Sequence, residues 1–390
     1  MKNYESNPYY RWWYSVENAG IPFKTITKYY QKFDEESLFS LSFDDEEYTY
    51  PLLTRDDWQW VSSSDQFTFF FNDEIQQTDY QWYYITSSIS RMAYASDADS
   101  VDTIDEIEEY VWNGDLYTVN IVQNENKKIE LIRSDFYSVL SSSEPFIAEL
   151  NSFLYNNGVS QATDISKIDV EFTDSALPIR DSKANNLKQI VDHSSKTEFP
   201  IGGTYPIILK TETGYECLIS KRSNEVQSWP EYWTVVPAGY FAPDTIEASN
   251  KIQAQFYSEY CEELFNHSEG SVTTNTEKVL EAEEHQNQNK SEFVVTGMSV
   301  DALTLSFEVS GVYIVHDLET AKELKSEMDV NYEVDSFEFL DLDDIEKVKK
   351  FLSPERITPP SAFAFINALK YLEKELPTDE CPKSVQQFID

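Results

Sequence analysis

The sequence predicts an α/β C-terminal domain, an α+β mixed sheet flanked by helices, preceded by a β-rich α+β N-terminal domain. At about 150 residues per domain, 390 residues correspond to two or three domains. Six of the eight Trp lie in the first 112 residues, in aromatic runs separated by polar turns, as in short β-strands. After residue 204, alternating apolar runs are interleaved with amphipathic helical patterns, which favours a mixed sheet covered by helices.

The N-terminal region, residues 1–195, contains no motif that indicates its role. The runs QFTFFFND and DYQWYYITSS are typical of strands, and residues 111–132 predict a hairpin around the turn QNEN. A helix is expected over Ser142–Asn156, where apolar residues recur at helical spacing. The region forms either one unit or two subdomains of about 1–100 and 101–172. The polar stretch 173–200 then serves as a linker.

The C-terminal domain, residues 196–390, is predicted to begin with a hairpin, YPIILK and YECLISKR, followed by the strand WTVVP. A loop leads to a helix from Lys251 to Leu264, and residues 270–291 form a surface insertion of low apolar content. The remaining predicted elements are the strands FVVTGM and LTLSFEVSGVYIVHD and the helices ELKSEM, IEKVKKFL and SAFAFINALKYLEKEL. The last of these helices follows Pro359 and Pro360, which suit a helix start.

The chain is strongly acidic throughout, with 30 Lys+Arg against 70 Asp+Glu and a net charge of −40. This charge repels phosphate backbones and anionic lipids, so we expect no direct nucleic-acid partner and no membrane partner. Salt relieves such self-repulsion, which favours a halophilic host; an ordinary, highly soluble acidic protein is the alternative.

The cysteine and histidine positions and the apolar runs of the sequence argue against several common features. The three Cys and four His are scattered without metal-ligand spacing, which argues against a disulfide framework and a zinc site. No apolar run of about 18 residues occurs, and the chain does not start with a basic segment followed by an apolar one. We therefore expect a cytoplasmic protein.

The segment SEYCEELF, residues 258–265, carries the clearest chemical signal. On a helix, Glu259, Glu262 and Glu263 lie at about 0°, 300° and 40°, so three carboxylates share one sector and repel each other. A divalent cation bound by carboxylate oxygens removes this repulsion, and oxygen ligands select Mg²⁺ or Mn²⁺ over zinc. In a chain with 70 acids, a solvated acidic face is the alternative.

The sequence around these residues resembles the Nudix hydrolase family, whose box runs G-x5-E-x7-R-E-U-x-E-E-x-G-U, with U a bulky apolar residue. Gly239 resembles the opening glycine, and Glu259, Tyr260, Glu262 and Glu263 match E-U-x-E-E. The segments VVPAGYFAP, SEYCEELFN and GMSVDALTL resemble a subgroup with a separate N-terminal region. The resemblance covers about residues 200–375 and implies a Nudix-like fold.

The sequence departs from the box at several positions. Twenty positions separate Gly239 from Glu259, whereas the pattern has 15, so the loop carries five extra residues. Glu247 is a candidate for the first box glutamate. Ser258 stands where the family has the Arg that orients the catalytic carboxylates. Phe265 or Asn266 occupies the closing glycine position, and Asn tolerates positive φ.

The resemblance implies hydrolysis of a diphosphate linkage in a nucleotide-like, phosphorylated small molecule. Mg²⁺ or Mn²⁺ would be held by the three glutamates, helped by the Ala238 carbonyl, with Glu259 or Glu263 as the base. Five residues near the entrance are candidates for substrate binding: Lys221, Arg222, Trp233, Tyr240 and Phe241. These residues have purely structural alternatives. The two basic residues would be solvated at a strand end, and the aromatic residues, together with Trp229, would pack in the core.

Two interpretations remain open from the sequence. Glu308, in an apolar strand, is either an additional metal ligand or a residue that points to solvent. The whole protein is either a hydrolase or a Nudix-like nucleotide sensor that binds without cleaving and uses its N-terminal region for partner contact. The substitution at Ser258 favours the sensor, whereas the intact E-x-x-E-E favours the enzyme.

Overall fold

The structure is a computed structural model of the chain. It describes residues 16–43, 46–60, 66–75, 81, 113–159, 170–173, 175–223, 229, 231–243, 250–268, 270–329, 334–378 and 380–389. Glu247, four of the N-terminal tryptophans (Trp12, Trp13, Trp82 and Trp112) and nearly all of the strand expected at DYQWYYITSS lie outside these residues.

Thirteen strands of the described part join in one mixed sheet. They are β1 (Leu38–Phe43), β2 (Glu46–Leu53), β3 (Thr68–Ile75), β4 (Asp115–Gln123), β5 (Lys128–Asp135), β6 (Phe199–Thr204), β7 (Ile207–Lys210), β8 (Tyr215–Arg222), β9 (Trp233–Val235), β10 (Ala238–Tyr240), β11 (Ser291–Asp301), β12 (Phe307–Val315) and β13 (Val334–Asp341). Their main order is β1-β2-β11-β12-β6-β4-β5-β3. β7 joins β12 to β8, β8 also pairs with β9 and β13, and β10 pairs with β6.

Helices cover both faces of this sheet. They are α1 (Val16–Phe33), α2 (Phe136–Asn156), α3 (Pro178–Lys183), α4 (Leu187–His193), α5 (Lys251–Phe265), α6 (Glu277–Asn287), α7 (Leu318–Glu327), α8 (Ile345–Phe351), α9 (Pro359–Glu375) and α10 (Lys383–Ile389). None of the helices in the described part is long and apolar enough to cross a membrane.

Strand β12 shows how the two layers are built. Phe307, Val309 and Tyr313 belong to the core cluster that contains α5 residues, whereas Val312 and Ile314 belong to the cluster that contains α9 residues. Successive side chains of a strand point to opposite faces, so every second residue enters each core. The mixed α+β class expected from the sequence is therefore present.

Strands from the N-terminal region extend the C-terminal sheet on two sides. β2 pairs antiparallel with β11, and β4 pairs antiparallel with β6 through Thr118 and Pro200. The polar stretch 173–200, expected to be a linker, contains α3 and α4, and Arg180 of α3 is fully buried. The division of the chain near residue 195 stays a prediction, and the sheet runs continuously through both parts.

Several predicted elements are confirmed, with shifted ends. The 111–132 hairpin is the antiparallel pair β4 and β5. The helix expected at Ser142 begins six residues earlier, because Asp135 accepts the Ser138 N–H and caps α2. The expected surface insertion at 270–291 contains α6, which buries Val279 and Ala282.

Candidate functional site

Helix α5 carries the three box glutamates, and its ends are well defined. Asn250 caps its start by accepting the N–H groups of Ile252 and Gln253. Asn266 ends it in the left-handed conformation, with φ 54° and ψ 34°. The sequence offered Phe265 or Asn266 for the family's closing glycine. Of these two residues, Asn266 has the left-handed conformation, which Asn adopts more readily than most residues.

Strand β10 runs beside α5 and contains Gly239, the candidate for the opening glycine of the box pattern. Gly239 pairs with Gly203 of β6, and Tyr240 pairs with Gly202. A Cβ on Gly239 would lie 2.1 Å from Glu259 Oε1, and a Cβ on Gly203 would lie 2.0 Å from the hydroxyl of Tyr205. Side chains therefore pack directly against bare backbone at both glycines, and any larger residue would displace them.

Two of the three glutamates converge on this strand. Glu263 is 4% exposed, and its Oε1 accepts the backbone N–H of Ala238 at 3.2 Å. Glu259 is half-buried, and its Oε1 accepts the side-chain amide of Gln255 at 3.1 Å. The same amide donates to the Gly239 carbonyl, also at 3.1 Å. The Ala238 N–H and the Gln255 amide thus hold these two carboxylates beside Ala238 and Gly239.

Glu262 takes a different direction. Its Oε1 accepts the hydroxyl of Ser258 and the backbone N–H of Gly270, each at 3.2 Å. On the helix, Glu262 is about 100° away from Glu263, which places it at the side of α5 where the following loop returns. Ser258, which stands at the position that the box pattern gives to Arg, therefore donates its hydroxyl to Glu262.

The donor set has the chemistry of a hard-cation site without its complete geometry. Carboxylate oxygens and a main-chain carbonyl, which meet at Gly239, are ligands that Mg²⁺ and Mn²⁺ prefer. Within the described residues, however, no three His, Cys, Asp or Glu side chains form a group that could hold a metal ion. The residues therefore have the oxygen ligands that such a cation prefers, but the carboxylate of Glu262 points away from Glu259 and Glu263.

A buried phenol lies on the α5 side of the two glycines. Tyr205 is fully buried, and its hydroxyl has no hydrogen-bond partner among the described residues. Burial raises the pKa of this phenol, and the nearby charges of Glu259 and Glu308 raise it further. Tyr205 therefore stays protonated and keeps an O–H donor near the carboxylates of Glu259 and Glu308.

Glu308 lies on the opposite face of the sheet from Glu259. It pairs with Gly202, whose Cβ position is 3.0 Å from Glu308 Oε2, whereas Gly203 and Gly239 face α5. Burial and, to a smaller extent, the nearby charge of Asp301 raise the pKa of Glu308 to about 8, although hydrogen bonds from Ser306 and Thr204 act in the opposite direction. The sequence left Glu308 either as an additional metal ligand or as a solvent-facing residue, and its side chain is half-buried.

The candidate substrate-binding aromatics differ in exposure. Phe241 is 1% exposed and packs beside Phe71, with ring centroids 6.2 Å apart. Trp229 is 8% exposed and lies in edge contact with Tyr232. Tyr240 is 39% exposed. Of these three residues, Tyr240 is the most exposed.

The remaining candidates lie at the end of strand β8. Lys221 and Arg222 are both half-buried, and Trp233 of β9 pairs with Lys221. Burial raises the pKa of both Tyr240 and Glu308, and the positive charge of nearby Arg222 acts against this rise at both groups. The strand end thus supplies positive charge beside the exposed tyrosine.

Sequence reasoning missed Gln255, Tyr205 and a contact from the N-terminal region. Lys251, the first residue of α5, donates to the Tyr117 hydroxyl at 2.9 Å and lies 3.5 Å from Asp73. Gln255 precedes Glu259 by one helical turn, which is a usable signal for a side-chain contact. The other contacts join segments far apart in sequence and give no local signal.

No protein-family model and no curated protein matches the sequence. Solved structures with partial similarity include the Ap4A hydrolase of C. elegans, at 14% identity, 45% of this chain, 98% of that chain and a TM-score of 0.24. Two others are the NUDIX domain of Shewanella oneidensis NrtR complexed with ADP ribose (11% identity, 45% and 88% coverage, TM-score 0.27) and a bifunctional NMN adenylyltransferase/ADP ribose pyrophosphatase from Francisella tularensis (12%, 57% and 60%, 0.31). TM-scores this low carry no argument, so function is inferred from the residues of the site.

Proposed function

We propose that this protein is a Mg²⁺- or Mn²⁺-dependent hydrolase of the Nudix type that cleaves a diphosphate linkage in a nucleoside diphosphate derivative. The observation that carries the proposal is the convergence of Glu259 and Glu263 on Ala238 and Gly239. These residues come from the two separated halves of the box pattern. Their meeting at bare backbone is what a carboxylate site of this type requires.

Glu259, Glu263 and a main-chain oxygen of Ala238 or Gly239 would hold the cation. When bound, a divalent ion at such a site neutralises phosphate charge and lowers the pKa of an attacking water. Glu262 would join these ligands only after leaving the Ser258 hydroxyl and the Gly270 N–H. The acidic chain repels phosphates elsewhere, so the site would be the point where an anionic substrate is accepted.

Glu259 is the better candidate for the base. Glu263 is almost fully buried and accepts the Ala238 N–H, which suits a fixed ligand. Glu259 is half-buried and so can reach a water from solvent, while Gln255 holds one of its oxygens.

The substrate would be recognised at the end of β8 and β10. Lys221 and Arg222 would contact phosphate, and the exposed ring of Tyr240 would stack on a base. Trp233 would line the same end of the sheet. Phe241 would pack in the core and not against the substrate, because its ring is buried.

A nucleotide sensor that binds without cleavage is the second candidate. It is favoured by the contact of Ser258 with Glu262, since no Arg at this position orients the carboxylates. It also agrees with the absence of a three-carboxylate group among the described residues. In this case the N-terminal region would contact the partner.

The test is a substrate panel at high KCl with Mg²⁺ or Mn²⁺. The panel contains nucleoside triphosphates, ADP-ribose, NAD and dinucleoside polyphosphates, and products are identified by mass. The double variant Glu262→Gln/Glu263→Gln removes the charge of the proposed ligand Glu263 and that of its neighbour Glu262. Glu283→Gln/Glu284→Gln, which removes two adjacent exposed charges of α6, is the matched control.

The hydrolase proposal expects metal-dependent cleavage between phosphates that is lost only in the first double variant. Ligand-dependent thermal stabilisation without cleavage would instead support the sensor. Equal hydrolysis by the parent and the Glu262→Gln/Glu263→Gln variant would show that the metal assignment is wrong.

A further inference from the structure

Glu259 is oriented by a residue other than the one at the box Arg position. Ser258 has a short side chain, and its hydroxyl donates to Glu262 at 3.2 Å. A carboxylate that holds a cation or removes a proton has to be fixed within a fraction of an ångström, so its donor matters for activity.

Gln255 supplies such a donor from one turn earlier on α5. Its amide nitrogen donates to Glu259 Oε1 and to the Gly239 carbonyl, each at 3.1 Å. Both neighbours can only accept, so the amide must present its nitrogen to them. One side chain therefore ties the carboxylate of α5 to the backbone of β10, at the position where glycine leaves room for Glu259.

The free-energy cost of burying Gln255 also indicates a functional role for this side chain. Gln255 is fully buried, and its Oε1 has no hydrogen-bond partner among the described residues. An unsatisfied buried polar atom is unfavourable, and an apolar side chain of similar length would fill the position without that cost. Local rules of this kind are broken most often at functional sites.

We propose that Gln255 is the positioning residue for Glu259, in the role that the resemblance assigns to the Arg replaced by Ser258. The proposal rests on the hydrolase function proposed above. A neutral amide fixes the carboxylate without cancelling its charge, whereas an Arg would add a positive charge beside the cation site. The contact with Gln255 therefore leaves the charge of Glu259 uncancelled.

Gln255→Met tests this role, because methionine keeps the length and removes the donors. Gln253→Met is the matched control: Gln253 lies on the same helix and also makes two hydrogen bonds, to Tyr257 and Gln286 at 2.9 Å each, but none to Glu259. Both variants are measured in the full chain at high KCl.

The first readout is a double-mutant cycle with Glu259→Gln, followed by urea unfolding without metal. If Gln255 holds Glu259, the change in the unfolding equilibrium constant of the double variant should differ about fivefold from the product of the changes in the two single variants. For Gln253→Met combined with Glu259→Gln, the change in the unfolding equilibrium constant should equal the product of the two single changes within about twofold.

The second readout is Mn²⁺ binding, followed by electron paramagnetic resonance, together with kcat and KM for a substrate from the panel. Gln255→Met should weaken Mn²⁺ binding about tenfold and lower kcat at least tenfold with KM nearly unchanged, since positioning acts on the reacting groups. Gln253→Met should change neither Mn²⁺ affinity nor kcat by more than about twofold.

The two readouts separate the possible failures. Multiplicative effects for Gln255→Met and Glu259→Gln, or unchanged Mn²⁺ affinity and kcat in Gln255→Met, would overturn the proposed role of Gln255. Coupling in the cycle together with no Mn²⁺ binding and no cleavage by the parent would refute the hydrolase, while leaving the contact between Gln255 and Glu259 established.

Discussion

Gly239→Ala is the substitution that tests the geometry of the candidate site most directly. The added Cβ would lie 2.1 Å from Oε1 and 2.2 Å from Cδ of Glu259. Ordinary van der Waals contact begins near 3.4 Å, so the carboxylate has to move by at least about 1.3 Å, the difference between the two distances. At that displacement, its 3.1 Å hydrogen bond with Gln255 is lost.

The effects on stability and on activity should differ greatly in size. The displaced atoms are the end of a flexible side chain that is half-buried, so the fold can accommodate the methyl group. We expect a loss of about 1 kcal/mol in the free energy of unfolding, the value of one hydrogen bond. A shift of about 1 Å in a catalytic group, by contrast, lowers kcat about 100-fold.

Urea unfolding and metal-dependent hydrolysis, measured on the same preparation, check this expectation. Gly214→Ala is the control, because its Cβ would lie 3.0 Å from the carboxylate of Asp343 in a turn outside the site. Its kcat should equal that of the parent. A Gly239→Ala variant with parental kcat, or one with no stable fold, would refute the placement of Glu259 against this glycine.

Three other predictions concern charge and burial. Because the pKa of Glu308 is raised to about 8 from 4.5, the folded state keeps a proton that the unfolded chain releases, and its contribution to stability is lost as the pH rises from about 4.5 to 8. Between pH 5 and pH 9, the free energy of unfolding of Glu308→Gln should therefore rise relative to that of the parent, by less than about 5 kcal/mol at 1.36 kcal/mol per pKa unit. If urea unfolding gives the same pH dependence for both proteins, the raised pKa is contradicted. Arg180→Met removes three hydrogen bonds, to the Tyr30 hydroxyl and the carbonyls of Ala302 and Leu303, and should lower the free energy of unfolding by about 3 kcal/mol; a change within 0.5 kcal/mol, about the effect of a surface substitution, would be inconsistent with this burial. For the net charge of −40, the melting temperature should rise between about 0.1 and 2 M KCl, and a flat curve would remove the halophilic interpretation.

Local sequence patterns predicted most of the elements near the site. The apolar stripe of Ile252, Phe256 and Tyr260 predicted helix α5, because it has the period of a helix. The apolar run LTLSFEVSGVYIVHD predicted the strand that the structure shows as β12. Helix starts were less well predicted. α2 began earlier than expected, since the cap by Asp135 contributes no apolar periodicity.

The sequence by itself determined that three glutamates share one face of α5, that an oxygen-rich cation site is chemically reasonable, and that the chain is highly acidic. The tertiary structure decided that Glu262 bonds to Ser258 and Gly270, while Glu259 meets Gln255 and Gly239. It also placed Glu308 on the opposite face of the sheet. Helical spacing fixes a direction only within one element. Which partner a side chain meets depends on strand register and loop return, which involve residues distant in sequence.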